Sequence, residues 1–205
     1  MTVVVFDLDG TLIDSTNALL ATHEHAFRSV NLKCPDACDV LKLVGLPLTE
    51  TMRRLAPQSF CTDLVSAYSD VYPQMAAQHE RLFDGVDDLL ALPFRAAVAT
   101  GKSQKGAERA VTQHGLATRF ELVLGADSVR RPKPYPDLLI KVMSSMQTDD
   151  LIMVGDTTYD LEMARAAGVR AIGVDWGHHP RSELETLAPV VASFAELREI
   201  LEAYQ

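Results

Sequence analysis

Five short apolar runs, at residues 2–6 (TVVVF), 95–99 (RAAVA), 120–124, 151–154 (LIMV) and 170–174 (RAIGV), each give way to a stretch with helical spacing. That alternation constrains the chain more than any other feature. Unbroken apolar residues suit a strand buried on both faces of a parallel sheet. Strand and helix in alternation therefore predict an α/β fold, a Rossmann-like parallel sheet with helices around it. Val190 and Val191, followed by Ser193 as a helix cap with Leu197, Ile200 and Leu201 facing inward, draw the C-terminus into the same core.

Almost ninety residues separate the first run from the second, far more than a crossover helix needs. The intervening sequence has helical spacing near 15–31, 36–44, 48–55 and 59–80, with Ser15 as N-cap of the first helix and a kink or break expected at Pro73. The expected organisation is a core made of residues 1–14 and 84–205, with 15–83 inserted as a small α-helical cap.

The chain has 205 residues, room for one domain with a modest insert. Its 19 Lys and Arg against 28 Asp and Glu leave a net charge of −9, the wrong sign for a general nucleic-acid binder. No apolar run approaches the roughly 18 residues of a membrane span, and the first residues show neither the basic flank nor the long apolar stretch expected of a secretory signal. Cys34, Cys38 and Cys61 cannot all pair with one another. A protein of the cytoplasm, with reduced thiols and no membrane partner, is expected. The oligomeric state stays open.

Ligands of such sheets bind at the carboxyl ends of the strands. The first strand runs into Asp7-Leu8-Asp9-Gly10-Thr11, the second into Thr100-Gly101-Lys102, the third towards Arg131-Pro132-Lys133-Pro134, and the fourth into Gly155-Asp156, with Asp160 four residues on. Asp7 and Asp9 are two apart, so in extended backbone they lean the same way and need a cation or proton between them. With Asp156 they form a set of hard oxygen donors of the kind Mg²⁺ prefers. A metal would hold Asp7 ionised as a nucleophile, while Asp9, directed away from the ion, is free to act as an acid. Lys133 adds a positive charge for phosphate oxygens, and Thr100 with neighbouring main-chain amides adds hydrogen bonds. The set suits phosphoryl transfer.

These motifs, DLDGT at 7–11, TGK at 100–102, KPYPD at 133–137 and GDTTYD at 155–160, resemble the four motifs of the haloacid dehalogenase superfamily in order and spacing. The helical insert resembles the cap of its phosphoglycolate phosphatase-like branch. The resemblance implies a Mg²⁺-dependent phosphatase acting on a small phosphorylated metabolite. Asp7 would form an aspartyl-phosphate, and Asp9 would protonate the leaving oxygen and later activate water. Asp7, the Asp9 carbonyl and Asp156 would hold Mg²⁺. Thr100, Gly101 and Lys133 would bind the phosphoryl group, and Asp160 would support the metal from behind. Gly101 stands where this branch often has asparagine. Asp9 is absent from the dehalogenases themselves, which argues against carbon–halogen hydrolysis.

Rival readings fit less well. A β-phosphoglucomutase-like sugar-phosphate mutase would carry histidine where Leu19 stands, and a receiver-type phosphoacceptor domain would place its aspartate after the third strand and lack the insert. A calcium loop starting at Asp7 fails at Leu12 and Ala18, and a P-loop ending at Lys102 fails at Ala96. His178 and His179 are expected at a loop rim, and His23 and His25 beside an apolar helix face.

Overall fold

The computed structural model describes residues 2–57 and 61–204. Strands β1 (Val3–Phe6), β4 (Arg95–Ala99), β5 (Leu122–Leu124), β6 (Leu151–Gly155), β7 (Arg170–Val174) and β8 (Val190–Val191) form one parallel sheet in the order β5-β4-β1-β6-β7-β8. The five apolar runs read from the sequence and the Val190–Val191 pair all contribute strands. Their order is that of a doubly wound sheet, which reverses direction between β1 and β6 and opens a crevice there. Phe6 pairs with Val154 across that gap, so the next residues on each strand meet at the mouth of the crevice.

The apolar runs are continuous because both faces are covered. Val3 and Val5 pack with Leu138 and Val142 of α7 (Asp137–Met146) and Met163 of α8 (Thr158–Ala167). Val4 and Phe6 point the other way, to Leu89 of α5 (Val86–Leu90), Val111 of α6 (Gln104–Gln113) and Leu197 of α10 (Phe194–Glu202). Ser193 caps α10 as expected, accepting from Glu196 N–H at 3.2 Å. A short helix, α9 (Arg181–Leu184), precedes β8.

Helices α1 (Thr16–Ser29), α2 (Ala37–Leu41), α3 (Leu48–Leu55) and α4 (Cys61–His79) lie between β1 and β4 and share an apolar cluster that includes Leu19, Phe27, Met52 and Leu64. Residues 59 and 60 of the last expected segment lie outside the described ones. One detail differs from the expectation. Ser15 is buried and its hydroxyl caps nothing; Asp14 instead accepts from Thr16 N–H at 3.2 Å. Helix α4 is not broken at Pro73, one of the two outcomes expected there: the proline is exposed, and the carbonyl that loses its donor belongs to Ser69, also exposed.

A feature with no sequence warning is the two-stranded antiparallel ribbon of β2 (Ile13–Asp14) and β3 (Arg81–Leu82), which pairs the chain leaving for the insert with the chain returning from it. Among the described residues no helix is long and apolar enough to cross a membrane.

Candidate active site

The turn after β1 is fixed by three amides, those of Thr11, Leu12 and Ile13, which converge on the Leu8 carbonyl at 2.9–3.2 Å. Gly10 sits in the left-handed region at φ 75°, and a Cβ there would fall 2.1 Å from Asp156 Oδ2. Only glycine permits that approach. The turn thereby sets Asp7 beside the ends of β6, and Asp7 N–H donates to the Val154 carbonyl at 3.0 Å.

Asp7, Asp156 and Asp160 are buried and each offers a carboxylate oxygen within 4.8 Å of the others. Lys133, fully buried, lies 3.0 Å from Asp7 Oδ1 and 2.5 Å from Asp160 Oδ1. Asp160 caps α8: its other oxygen accepts from Thr157 N–H at 3.1 Å and Thr157 Oγ1 at 2.7 Å, completing a capping box. Asp156 accepts from Thr11 Oγ1 at 2.9 Å and from both the main-chain and ring N–H of His178 at 2.8 and 2.9 Å. Burial works against its ionisation, but His178 and Thr11 outweigh burial and hold it below the usual carboxylate range.

Asp7 goes the other way. Burial pushes it up, Lys133 opposes, and the neighbouring Asp160, Asp156 and Asp9 add to the rise, to about 7. Among the described residues, neither Asp7 oxygen has a hydrogen-bond donor of good geometry. Hard oxygen donors held together with one carboxylate short of positive charge fit a small divalent cation.

Asp9 comes from the same turn as Asp7 and pairs with a different lysine. It lines a cavity of about 820 Å³ between the sheet and the helical insert, together with Asp7, Thr100, Gly101 and Lys102. Lys102 Nζ lies 2.9 Å from Asp9 Oδ1. The Thr100 hydroxyl, buried, accepts from Lys102 N–H at 3.4 Å. Gly101 has no space for a side chain: a Cβ would stand 2.4 Å from the Gly45 carbonyl oxygen, because the loop before α3 presses its backbone against this turn. Glycine at 101 is thus a packing requirement of this turn.

The structure brings Asp7, Asp9, Thr100, Gly101, Lys133, Asp156 and Asp160 to one end of the sheet. It corrects the placement of two histidines. His178 is on Asp156, and His179, also buried, accepts from Thr158 N–H at 3.1 Å and reaches the Lys42 carbonyl of the insert at 3.2 Å. Sequence reasoning also assigned no site role to Thr11, Tyr72 or Glu80. The rule that located the aspartates, residues just beyond a strand end, leads to His178 when it is applied to β7.

The haloacid dehalogenase-like hydrolase pattern matches residues 4–174. The chain belongs to that family. Among similar proteins, "Probable phosphatase IndB" of Dickeya dadantii strain 3937 is 36% identical over 95% of this chain and 90% of its own. "Tyrosine-protein kinase PtkA" of Mycobacterium tuberculosis strain H37Rv is 30% identical over 97% of this chain and 72% of its own. Among solved structures, a predicted phosphatase from Clostridium acetobutylicum superposes with a TM-score of 0.88 at 28% identity, covering 98% of each chain. As a haloacid dehalogenase-like protein the chain is a hydrolase, and the Rossmann-like α/β fold expected from its motifs is the fold observed.

Proposed function

We propose that this haloacid dehalogenase-like hydrolase is a Mg²⁺-dependent phosphatase that cleaves a small phosphorylated metabolite through an aspartyl-phosphate on Asp7. The observation that carries the reading is the split between the two aspartates of one turn. Asp7 sits in the buried acidic cluster beside Lys133, and Asp9 lines the same cavity but pairs with Lys102 instead. The two similar proteins carry names of different activities, so the reading rests on the site.

Asp7, the Asp9 carbonyl and Asp156 would hold Mg²⁺, with Asp160 behind them. Bound there, the ion would offset the carboxylates and draw charge from phosphoryl oxygens. Asp7 attacks phosphorus, the bond to the leaving oxygen breaks with its electron pair on that oxygen, and Asp9 supplies the proton that makes it an alcohol. Asp9 then takes a proton from the water that attacks the aspartyl-phosphate, which returns Asp7 and releases inorganic phosphate. Thr100, the Gly101 amide and Lys133 steady the phosphoryl oxygens. Residues 15–83 act as the cap over the core of 1–14 and 84–205, excluding bulk water when seated. Leucine at position 19 offers no proton relay of the mutase kind, which supports hydrolysis. Free Cys34, Cys38 and Cys61 accord with a cytoplasmic protein.

The test is phosphate release from a broad panel of phosphorylated metabolites with and without Mg²⁺, using Asp7→Asn as the blank. Asp7→Asn should lower turnover by at least about a thousandfold. Full activity in the folded variant overturns the reading.

A further inference from the structure

Asp9 is not held by the sheet alone. Its only ion-pair partner among the described residues, Lys102, belongs to a buried chain of polar groups that leaves the active site. Lys102 Nζ donates to Tyr72 Oη on α4 at 2.7 Å, and Tyr72 donates to Glu80 Oε1 at 2.6 Å. Lys102 Nζ also lies 3.6 Å from Glu80 Oε1 and 4.5 Å from the Tyr72 ring centroid. The far oxygen of Glu80 meets Nε2 of His114, on the loop after α6, at 3.3 Å, and accepts from Gln113 Nε2 at 3.5 Å.

The direction of donation is forced. An ammonium can only donate, so Tyr72 must accept from Lys102, and its own hydrogen goes to the carboxylate of Glu80. Glu80 therefore fixes the phenol, the phenol fixes the ammonium, and the ammonium fixes Asp9. Each link comes from a different part of the fold: Glu80 from the junction between α4 and β3, Tyr72 from the insert, Lys102 from the turn after β4. Burying a glutamate and a lysine in this way stabilises little compared with apolar packing of the same volume. The arrangement instead ties the place of Asp9 to the seating of α4.

We propose that Glu80, acting through Tyr72 and Lys102, is a positioning residue that directs Asp9 at the leaving oxygen when the helical insert is docked. This rests on the phosphatase reading and adds to it a dependence on residues that touch neither phosphate nor metal. Protonation of the leaving group matters for phenyl phosphate, whose phenolate leaves poorly, and little for p-nitrophenyl phosphate, whose leaving group departs without a proton. The two esters are nearly the same shape.

The experiment is rapid-quench measurement of phospho-enzyme formation from both esters, in Mg²⁺, by the wild type, Glu80→Gln and Tyr72→Phe. Tyr72→Phe keeps the ring packing and removes only the hydroxyl, so it reads the network even if Glu80→Gln folds poorly. We expect each variant to slow formation from phenyl phosphate about tenfold more than from p-nitrophenyl phosphate. Equal slowing of both esters, as a general packing defect would give, overturns the proposal, and so does no slowing of either. If the wild type forms no aspartyl-phosphate on Asp7 from either ester or from any member of the metabolite panel, the phosphatase reading fails and takes this proposal with it.

Discussion

Asp7 and Asp9 leave the same turn two residues apart, yet each meets a different lysine in a different kind of surrounding. Lys133 reaches Asp7 and Asp160 wholly within the core, behind strand ends that pair on both sides, with no exposed surface on the lysine side chain. Lys102 reaches Asp9 at the seam between core and insert, where two of its other neighbours, Tyr72 and Glu80, arrive from α4 and from the junction. One pair depends on the sheet; the other depends on where the helices sit. On the proposed mechanism the nucleophile, Asp7, has the first kind of support, and Asp9, which would donate a proton in one step and accept one in the next, has the second.

The largest test of this contrast is to remove each lysine. Lys133→Met leaves Asp7 and Asp160 buried against each other without a counter-charge, and should cost about 3–5 kcal/mol in urea unfolding. Lys102→Met removes the cation beside Asp9 but leaves Glu80 its bonds to Tyr72, Gln113 and His114, and should cost about 1–2 kcal/mol. Equal costs would mean that the seam is as closed as the core and would remove the distinction.

An effect smaller than that of Lys133→Met is expected at Gly101. Asparagine there puts a Cβ onto the Gly45 carbonyl, 2.4 Å away, so the loop before α3 must retreat. Overpacking of this sort costs about 1–3 kcal/mol. The contrast predicts where the kinetic loss falls. Gly101→Asn should slow phospho-enzyme formation from phenyl phosphate more than from p-nitrophenyl phosphate, since displacement of the insert disturbs Lys102 and Asp9 before it reaches Lys133 and Asp7. A loss shared equally by both esters would place the damage at the phosphoryl site instead.

What could be read in the sequence follows the same division. The six strands were legible because sheet burial imposes apolar runs, and Asp7, Asp9, Thr100 and Asp156 were legible because strand ends put them at the crevice. The ribbon of Ile13–Asp14 with Arg81–Leu82 was not, since two residues per strand carry no period. The buried polar chain was equally silent. Tyr72 lies 30 residues from Lys102 and 8 from Glu80, and only the packed position of α4 makes them neighbours. Taken singly, a tyrosine on a helix and a glutamate after it look like surface. Ser15 failed as a cap because Asp14 in the ribbon already supplies the acceptor.

The smallest expected effect is a change in acid stability. Burial pushes the Glu80 carboxyl up, but hydrogen bonds from His114 and Tyr72 and the charge of Lys102 outweigh burial and bring it down to about 2, against an ordinary 4.5. A carboxyl depressed on folding contributes stability that is present above its unfolded value and lost as pH falls through its folded one. The contribution of Glu80 is therefore complete above about 4.5 and fades towards about 2. Glu80→Gln, which cannot ionise, should be less stable than the wild type by about 1 kcal/mol at neutral pH, and the gap should narrow as pH drops below 4.5. Urea midpoints of the two proteins, taken at intervals down to the lowest pH at which both fold, measure that gap. A gap that stays constant would mean that Glu80 acts by shape and not by charge. In that case Lys102 would be anchored by the Tyr72 hydroxyl alone, and the tie between Asp9 and the junction would stop at α4.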